Sequence, residues 1–236
     1  MDSTKEVSVP SHKELHLKQQ EVKLRNGESV TFESFSVSRM RLYHGSQVHG
    51  IQEFTAAEET TIGSGVYLTS NKEAAVGYAI VRSSRPESKP TLYEVEIQDL
   101  NILNLSTRSA IDAFAKRFRE ILIERKGQIK VDHEKIMDKS TREFIKYNTV
   151  RNIEERIRMI DDNSYKYPKD LLFGVGDWAR AMLQEMGYDG LMAIEGGEGG
   201  NGVVIRDHDS YVIFDPKKVS VVEQQQFASK IGQKPT

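Results

Sequence analysis

The stretch Leu42-Tyr43-His44-Gly45-Ser46, followed after a polar span by IGSGVYLTSNKEAAVGY at 62–78, decides how this chain is read. Leu42-Tyr43 and Val66-Tyr67-Leu68 read as short buried strands, interrupted by the small or polar residues of His44-Gly45-Ser46 and Gly63-Ser64-Gly65. Glycine permits positive φ and removes the Cβ that would keep a flat ligand off the main chain. A strand end carrying His44 and Ser46, facing a strand that carries Tyr67, makes a floor and a wall for a planar ligand. Ser70 as a cap starts a predicted helix over Asn71–Ile80, which brings Tyr78 back toward the same place. Tyr67 and Tyr78 are then set to sandwich an aromatic ring.

Outward from this centre, residues 1–20 are polar and predicted to be a flexible N-terminus. Glu21–Arg25 and Ser29–Phe35 flank Asn26-Gly27, the signal of a small edge hairpin without chemistry. The span after Ser46, with Glu53, Glu58 and Glu59 and the apolar Val48, Ile51 and Phe54, reads as a helical turn and loop bordering the ligand site. Val81–Pro90 reads as a loop, Thr91–Ile97 as a half-buried strand, and Leu100–Leu105 as a further short apolar run.

From Arg108 to Arg158 the composition turns helical. Ile111, Phe114, Phe118, Ile121 and Leu122 form one apolar stripe, and Ile145, Val150, Ile153, Ile157 and Ile160 another. Fourteen Lys and Arg against nine Asp and Glu leave this block a local charge of +5. That excess suits an RNA, DNA or acidic-protein footprint, but a helical insertion with ordinary solvated faces is the simpler reading. Leu171–Phe173 is a short apolar run, and Val175–Met186 an amphipathic helix with Trp178, Met182 and Leu183 inward, stopped at Gly187. Tyr188–Ile194 reads as a turn and strand. The glycine-rich Glu195–Gly202 lacks the Lys-Ser/Thr of a phosphate-gripping loop and reads as a hairpin tip between that strand and Val203–Ile205. Tyr211–Phe214 is the last sheet strand, ended by Asp215-Pro216, and 224–236 a flexible tail.

The 236 residues fit a single domain over 21–223 with a helical insertion at about 106–168. Few strands are separated by crossover helices, so the class is a mostly antiparallel α+β fold. A net charge of -2 announces neither a nucleic acid nor a membrane partner. The absence of cysteine excludes disulfides, cysteine nucleophiles and thiolate metal sites, and no metal is expected. The first twenty residues hold no apolar core of a signal peptide, and no run approaches the ~18 apolar residues of a membrane span. Cytoplasmic residence is the expectation, in the producing cell or, for an injected effector, in a host.

His44-Gly45-Ser46, then Gly63-Ser64-Gly65-Val66-Tyr67-Leu68, then Tyr78 resemble the NAD-binding signature of the ADP-ribosyltransferases of the diphtheria-toxin and poly(ADP-ribose) polymerase type. Ser210-Tyr211-Val212-Ile213-Phe214-Asp215 resembles that family's late strand, with Ser210 where many members carry Glu. The resemblance covers roughly 40–100 and 170–222 and implies a split two-sheet fold with an NAD cleft between the sheets. It also implies a mono-ADP-ribosyltransferase that binds NAD as co-substrate, releases nicotinamide and transfers ADP-ribose to a protein, nucleic-acid or small acceptor, as a toxin or effector would. Tyr67 and Tyr78 would stack on nicotinamide, Gly45 would offer its main chain to the carboxamide, and His44 and Ser46 would reach ribose hydroxyls, with Gly65 shaping the same wall. His44, Tyr67 and Ser210 would form the catalytic set.

Serine cannot supply the negative charge that helps a cationic transition state. Asp209, Glu195 and Glu198 are the alternative carboxylates, with Asp209 expected on the opposite strand face. An acceptor that brings its own charge, or a disabled enzyme, are the other readings. From a different class, the chain could bind NAD, ADP-ribose or an RNA end without chemistry. RNA 2′-phosphotransferases share the fold, but Arg41, Arg82, His49 and His208 match their needs poorly in spacing.

Overall fold

The computed structural model describes the backbone of residues 15–57, 62–81, 88–132, 139–172, 174–198 and 204–227. Its elements run β1 (Leu15–Lys23), β2 (Ser29–Ser46), β3 (Val66–Leu68), α1 (Lys72–Val81), β4 (Thr91–Leu105), α2 (Arg108–Asp132), α3 (Lys139–Asp161), α4 (Pro168–Leu172), α5 (Gly176–Glu185), β5 (Gly190–Glu198), β6 (Val204–Ile213) and β7 (Val219–Gln226). Seven strands form one sheet in the order β1-β2-β4-β5-β6-β3, with β7 also on β4. All pairings are antiparallel except β4 with β5. The fold is thus α+β and mostly antiparallel, as expected. The hydrogen bonding joins the strands into a single sheet.

The long β2–β4 ribbon organises everything else. One edge of β4 pairs with β2 along almost its whole length, while the other pairs first with β7 (91–97) and then with β5 (102–105). Asp99, at φ 51°, sits between these two stretches. A left-handed residue breaks the strict two-residue alternation of a strand. Tyr93, Val95 and Ile97 therefore point into the same core cluster as Leu100 and Ile102, whereas Leu103 and Leu105 point into another. The first cluster also takes Leu42, Val66, Leu68, Met192, Tyr211 and Ile213. The second is closed by the helices, with Phe114, Phe118, Leu122, Ile153, Leu171 and Leu183 packed on Phe32, Leu191 and Val212.

Several sequence boundaries move. Residues 15–20, expected to be flexible, are strand β1, because pairing along β2 from Leu15↔Val37 to Lys23↔Ser29 uses their main chain whatever their polarity. Ser29–Phe35 is not an isolated hairpin arm but the first part of the strand that runs on through His44 to Ser46. The two apolar runs of 91–105 are one strand. Leu171-Leu172 ends the short helix α4. Glu195–Glu198 extend β5 instead of forming a loop, and Gln224–Gln226 belong to β7 rather than a tail, since both segments run antiparallel to a partner strand. Of the predicted apolar stripes, Phe114, Phe118, Leu122 and Ile153 are fully buried and Ile121, Val150, Ile157 and Ile160 pack partly buried against the same core, while the Ile145 side chain lies outside the described residues. The 108–158 helices share the central core, so they do not stand apart from the sheet. Val81–Pro90, with Arg82 and Arg85, and the hairpin tip at 199–203 lie largely outside the described residues.

Candidate active site

β3 joins strands that are far apart in sequence. Its register on β6 sets Tyr67 opposite Val212 and Leu68 opposite Tyr211. Just beyond its end, Thr69 exchanges two main-chain hydrogen bonds with Tyr43, at 2.8 and 2.9 Å. His44, next to Tyr43, places Nδ1 2.8 Å from the Tyr67 carbonyl oxygen. A carbonyl only accepts, so Nδ1 carries the proton, and in the neutral ring Nε2 is an acceptor. The imidazole packs edge-on against Phe54 at 5.0 Å and tilted against Tyr93 at 6.3 Å. Tyr93 is fully buried, and its hydroxyl donates to the Val48 carbonyl and accepts from the Ile51 amide. The segment after Ser46 is thereby folded over His44. Ser46 itself accepts a hydrogen bond from the Val48 amide at 3.1 Å.

The glycines have packing reasons that the sequence reading assigned to a ligand. A Cβ on Gly45 would stand 1.8 Å from the Ala75 carbonyl oxygen of α1, and one on Gly65 would stand 2.6 Å from a Val212 methyl group. What approaches these main chains is therefore α1 and β6. α1 begins one residue later than predicted, and its cap is Asn71, not Ser70: the Asn71 side chain accepts from the Ala74 amide at 3.0 Å.

The Tyr67 hydroxyl donates to the Gly63 carbonyl at 2.9 Å and accepts from the Ile62 amide at 3.0 Å. The same turn is held from its other side by α5, where Asp177 accepts from the Ser64 amide and Arg180 donates to the Ser64 carbonyl. Gly63, at φ 103°, lies so close to Gly176 that neither could carry a side chain without displacing main chain. The ring of Tyr67 is half-buried, with its orientation set at the phenol end.

Along β6, His208, Ser210 and Val212 share one face by strand alternation, and Asp209 and Tyr211 the other. Tyr78, half-buried on α1, meets buried His208 edge-on at 5.5 Å, with hydroxyl to Nε2 3.4 Å. Ser210 is buried and donates from Oγ to Glu195 Oε2 at 2.6 Å. Its direct cross-strand neighbour is Ala193, whose small side chain leaves room for this diagonal contact. Asp209 accepts instead from the Thr69 hydroxyl and the Ser70 amide, both at 3.3 Å. Burial and the neighbouring Asp209 carboxylate push the Tyr211 phenol well above its ordinary range.

His44, Tyr67, Tyr78 and Ser210 are thus carried by β2, β3, α1 and β6, with β3 paired to β6, Thr69 bridged to β2, and α1 packed on both β2 and β6. Sequence reasoning left out Phe54, Tyr93, Asp177 and Arg180 as site supports, set His208 aside, and put Glu195 in a loop. Continuing the Leu191-Ala193 alternation of β5 by two residues would have put Glu195 on the Ser210 face.

The family model of the ADP-ribosyltransferases in polyvalent proteins matches residues 38–229. The chain belongs to that family. This ADP-ribosyltransferase domain is therefore a transferase of that class, and the match runs through the helical block that the motif resemblance left out. Among solved structures the chain is similar to one described as the crystal structure of the M. tuberculosis MbcT-MbcA toxin-antitoxin complex. Identity is 12% over 81% of this chain and 85% of that one, with a TM-score of 0.40, too loose a likeness to carry an argument. No curated protein matches the sequence. Among the described residues, no helix is long and apolar enough to cross a membrane.

Proposed function

We propose that the domain is a mono-ADP-ribosyltransferase that takes NAD as co-substrate, releases nicotinamide and passes ADP-ribose to a macromolecular or small acceptor. The observation that carries this reading is the junction at β3, where the His44 imidazole bonds the Tyr67 carbonyl while β3 pairs with the strand bearing Ser210. The His44 and Tyr67 motifs, 23 residues apart, meet there with a strand more than a hundred residues further along the chain. NAD contributes a cationic leaving group, so cleavage depends on positioning and on electrostatic help more than on a strong acid.

The residues suit that task. His44 Nε2 is an acceptor for a ribose hydroxyl, and Ser46 is a second group in its reach. Tyr67 and Tyr78 offer flat aromatic faces for the nicotinamide, the first locked in orientation at its hydroxyl. Gly45 presents main chain to the carboxamide, and Gly65 keeps β3 close enough to β6 to bring Tyr67 near Ser210. Ser210 is the hydroxyl for the nicotinamide ribose. The cleft would lie between the β2–β4–β7 part of the sheet and the β5–β6–β3 part. The basic helices are less suited to nucleic acid than their charge suggests, because Arg108, Arg117, Arg119 and Lys126 are paired with carboxylates.

The test is incubation with adenine-labelled NAD and a cell lysate, following free nicotinamide and label on macromolecules after parallel protease and nuclease treatment. Label removed by one treatment names the acceptor class. Nicotinamide without label points to a small acceptor or water. NAD binding with neither product refutes the transferase reading in favour of a binding module. Tyr67→Ala should abolish turnover and weaken NAD binding, and unchanged affinity would remove Tyr67 from the site.

A further inference from the structure

The geometry points to Glu195 as a positioning residue that delivers negative charge to the reaction centre through Ser210. The inference rests on the transferase reading and deepens it. Ser210 has one proton to donate and two lone pairs to accept with. Its proton is committed to Glu195 at 2.6 Å, within the short range of an O–H···O⁻ bond. What the serine offers a ligand is therefore acceptor capacity. A ribose hydroxyl donating to Ser210 Oγ would complete a chain from ribose O–H to serine O–H to carboxylate. Hydrogen bonds in such a chain polarise one another.

Of the two other carboxylates, the Glu198 side chain lies outside the described residues, and Asp209 is excluded by placement. Asp209 is on the opposite face of β6, held by Thr69 and Ser70. Glu195 lies on the Ser210 face because β5 and β6 pair with Ala193 opposite Ser210 and Glu195 opposite His208.

In the step this serves, the bond between ribose C1′ and the nicotinamide nitrogen breaks and its electron pair goes to that nitrogen, giving neutral nicotinamide. The acceptor's nucleophile, or water, bonds C1′ and loses its proton to solvent. Positive charge builds on the ribose between these events. Glu195 forms no covalent bond in this step and takes no proton from the acceptor. Its charge lowers the barrier by making Ser210 a stronger acceptor for a hydroxyl that grows more acidic as the charge develops.

The experiment compares wild type, Glu195→Gln, Ser210→Ala, the double variant, and Ser210→Glu in the Glu195→Gln background. It measures kcat and KM for nicotinamide release from NAD, NAD affinity, and thermal unfolding. Glu195→Gln should lower kcat roughly 10- to 100-fold, less than the 10²–10³ of losing a direct electrostatic contact, because one hydroxyl intervenes. KM and NAD affinity should stay within about threefold. Ser210→Ala should cost a similar factor, and the double variant little more, since the two act as a unit. Ser210→Glu should restore at least tenfold to Glu195→Gln, which a purely structural role would not allow. An active wild type with Glu195→Gln kcat within threefold of it overturns the inference alone, as does additive loss in the double variant. A wild type that binds NAD and releases no nicotinamide overturns it together with the transferase reading.

Discussion

Gly45→Ala separates two reasons for a glycine beside His44. If a ligand lies against Gly45, the variant folds normally and fails to bind. The structure gives a different cause, because the added Cβ would stand 1.8 Å from the Ala75 carbonyl oxygen, 2.8 Å from its carbon and 2.9 Å from the Ala79 amide nitrogen. Ordinary contact begins near 3.4 Å, so α1 must recede by about 1.6 Å. Both Ala75 and Ala79 are fully buried, and the atoms in the way are main chain, which cannot swing aside as a side-chain tip can. Overpacking of a core costs about 1–3 kcal/mol where side chains can adjust, so we expect about 3 kcal/mol or more here. For a chain of this size that lowers Tm by roughly 6–12 °C. The assay is thermal and urea unfolding in parallel with NAD titration. We expect destabilisation even without NAD, with weakened binding as a consequence of α1 carrying Tyr78 outward. A Tm within 2 °C of wild type alongside lost NAD binding would refute the packing argument and restore the ligand-approach one.

Tyr67→Phe keeps the ring but strands the Gly63 carbonyl and the Ile62 amide, so about 2 kcal/mol of stability should be lost on urea unfolding. Its NAD affinity should fall less than that of Tyr67→Ala, and an equal fall would mean the hydroxyl rather than the ring is what matters. Asn71→Ala should cost about 1 kcal/mol of stability and Ser70→Ala less than about 0.5, because Asn71 caps α1; the reverse order in urea midpoints would put the cap back at Ser70. The Arg39 guanidinium, 2.6 Å away, holds the Glu96 carboxyl below its usual range. The stability this adds is present above the ordinary carboxylate pKa and disappears as pH falls through the lowered value. Glu96→Gln should therefore be less stable than wild type at neutral pH and converge with it in acid, and parallel stability curves down to pH 3 would contradict the pairing.

How much could be read from the chain follows the range of the interactions. The amphipathic helices, the turn after β1 and the strand character of 91–97 rest on neighbours a few residues away, and their periodicity was visible. His44, Tyr67, Tyr78 and Ser210 stood out as candidates because each sits in a local pattern of glycines, aromatic residues and strand formers. The edge strands at 15–20 and 224–226 did not, because a polar strand is stabilised by main-chain pairing that leaves little trace in side-chain pattern. The cap of α1 was misplaced by one residue because Ser and Asn are equally good caps in sequence and only the chain's path chooses between them.

By itself, then, the sequence determined the α+β class, the helical stripes and the three motif pieces. Tertiary structure decided what those pieces do to one another. It put α1 rather than open space against Gly45, fastened the Tyr67 hydroxyl to the Ile62-Gly63 turn, gave Asp209 the Thr69 hydroxyl as a partner on the face where strand alternation had placed it, and brought Glu195 to within 2.6 Å of Ser210. The reason is register. Which residue lies opposite which on β5 and β6 is fixed by the pairing of whole strands and by the core packed beneath them, and a shift of one residue would turn Glu195 to the other face.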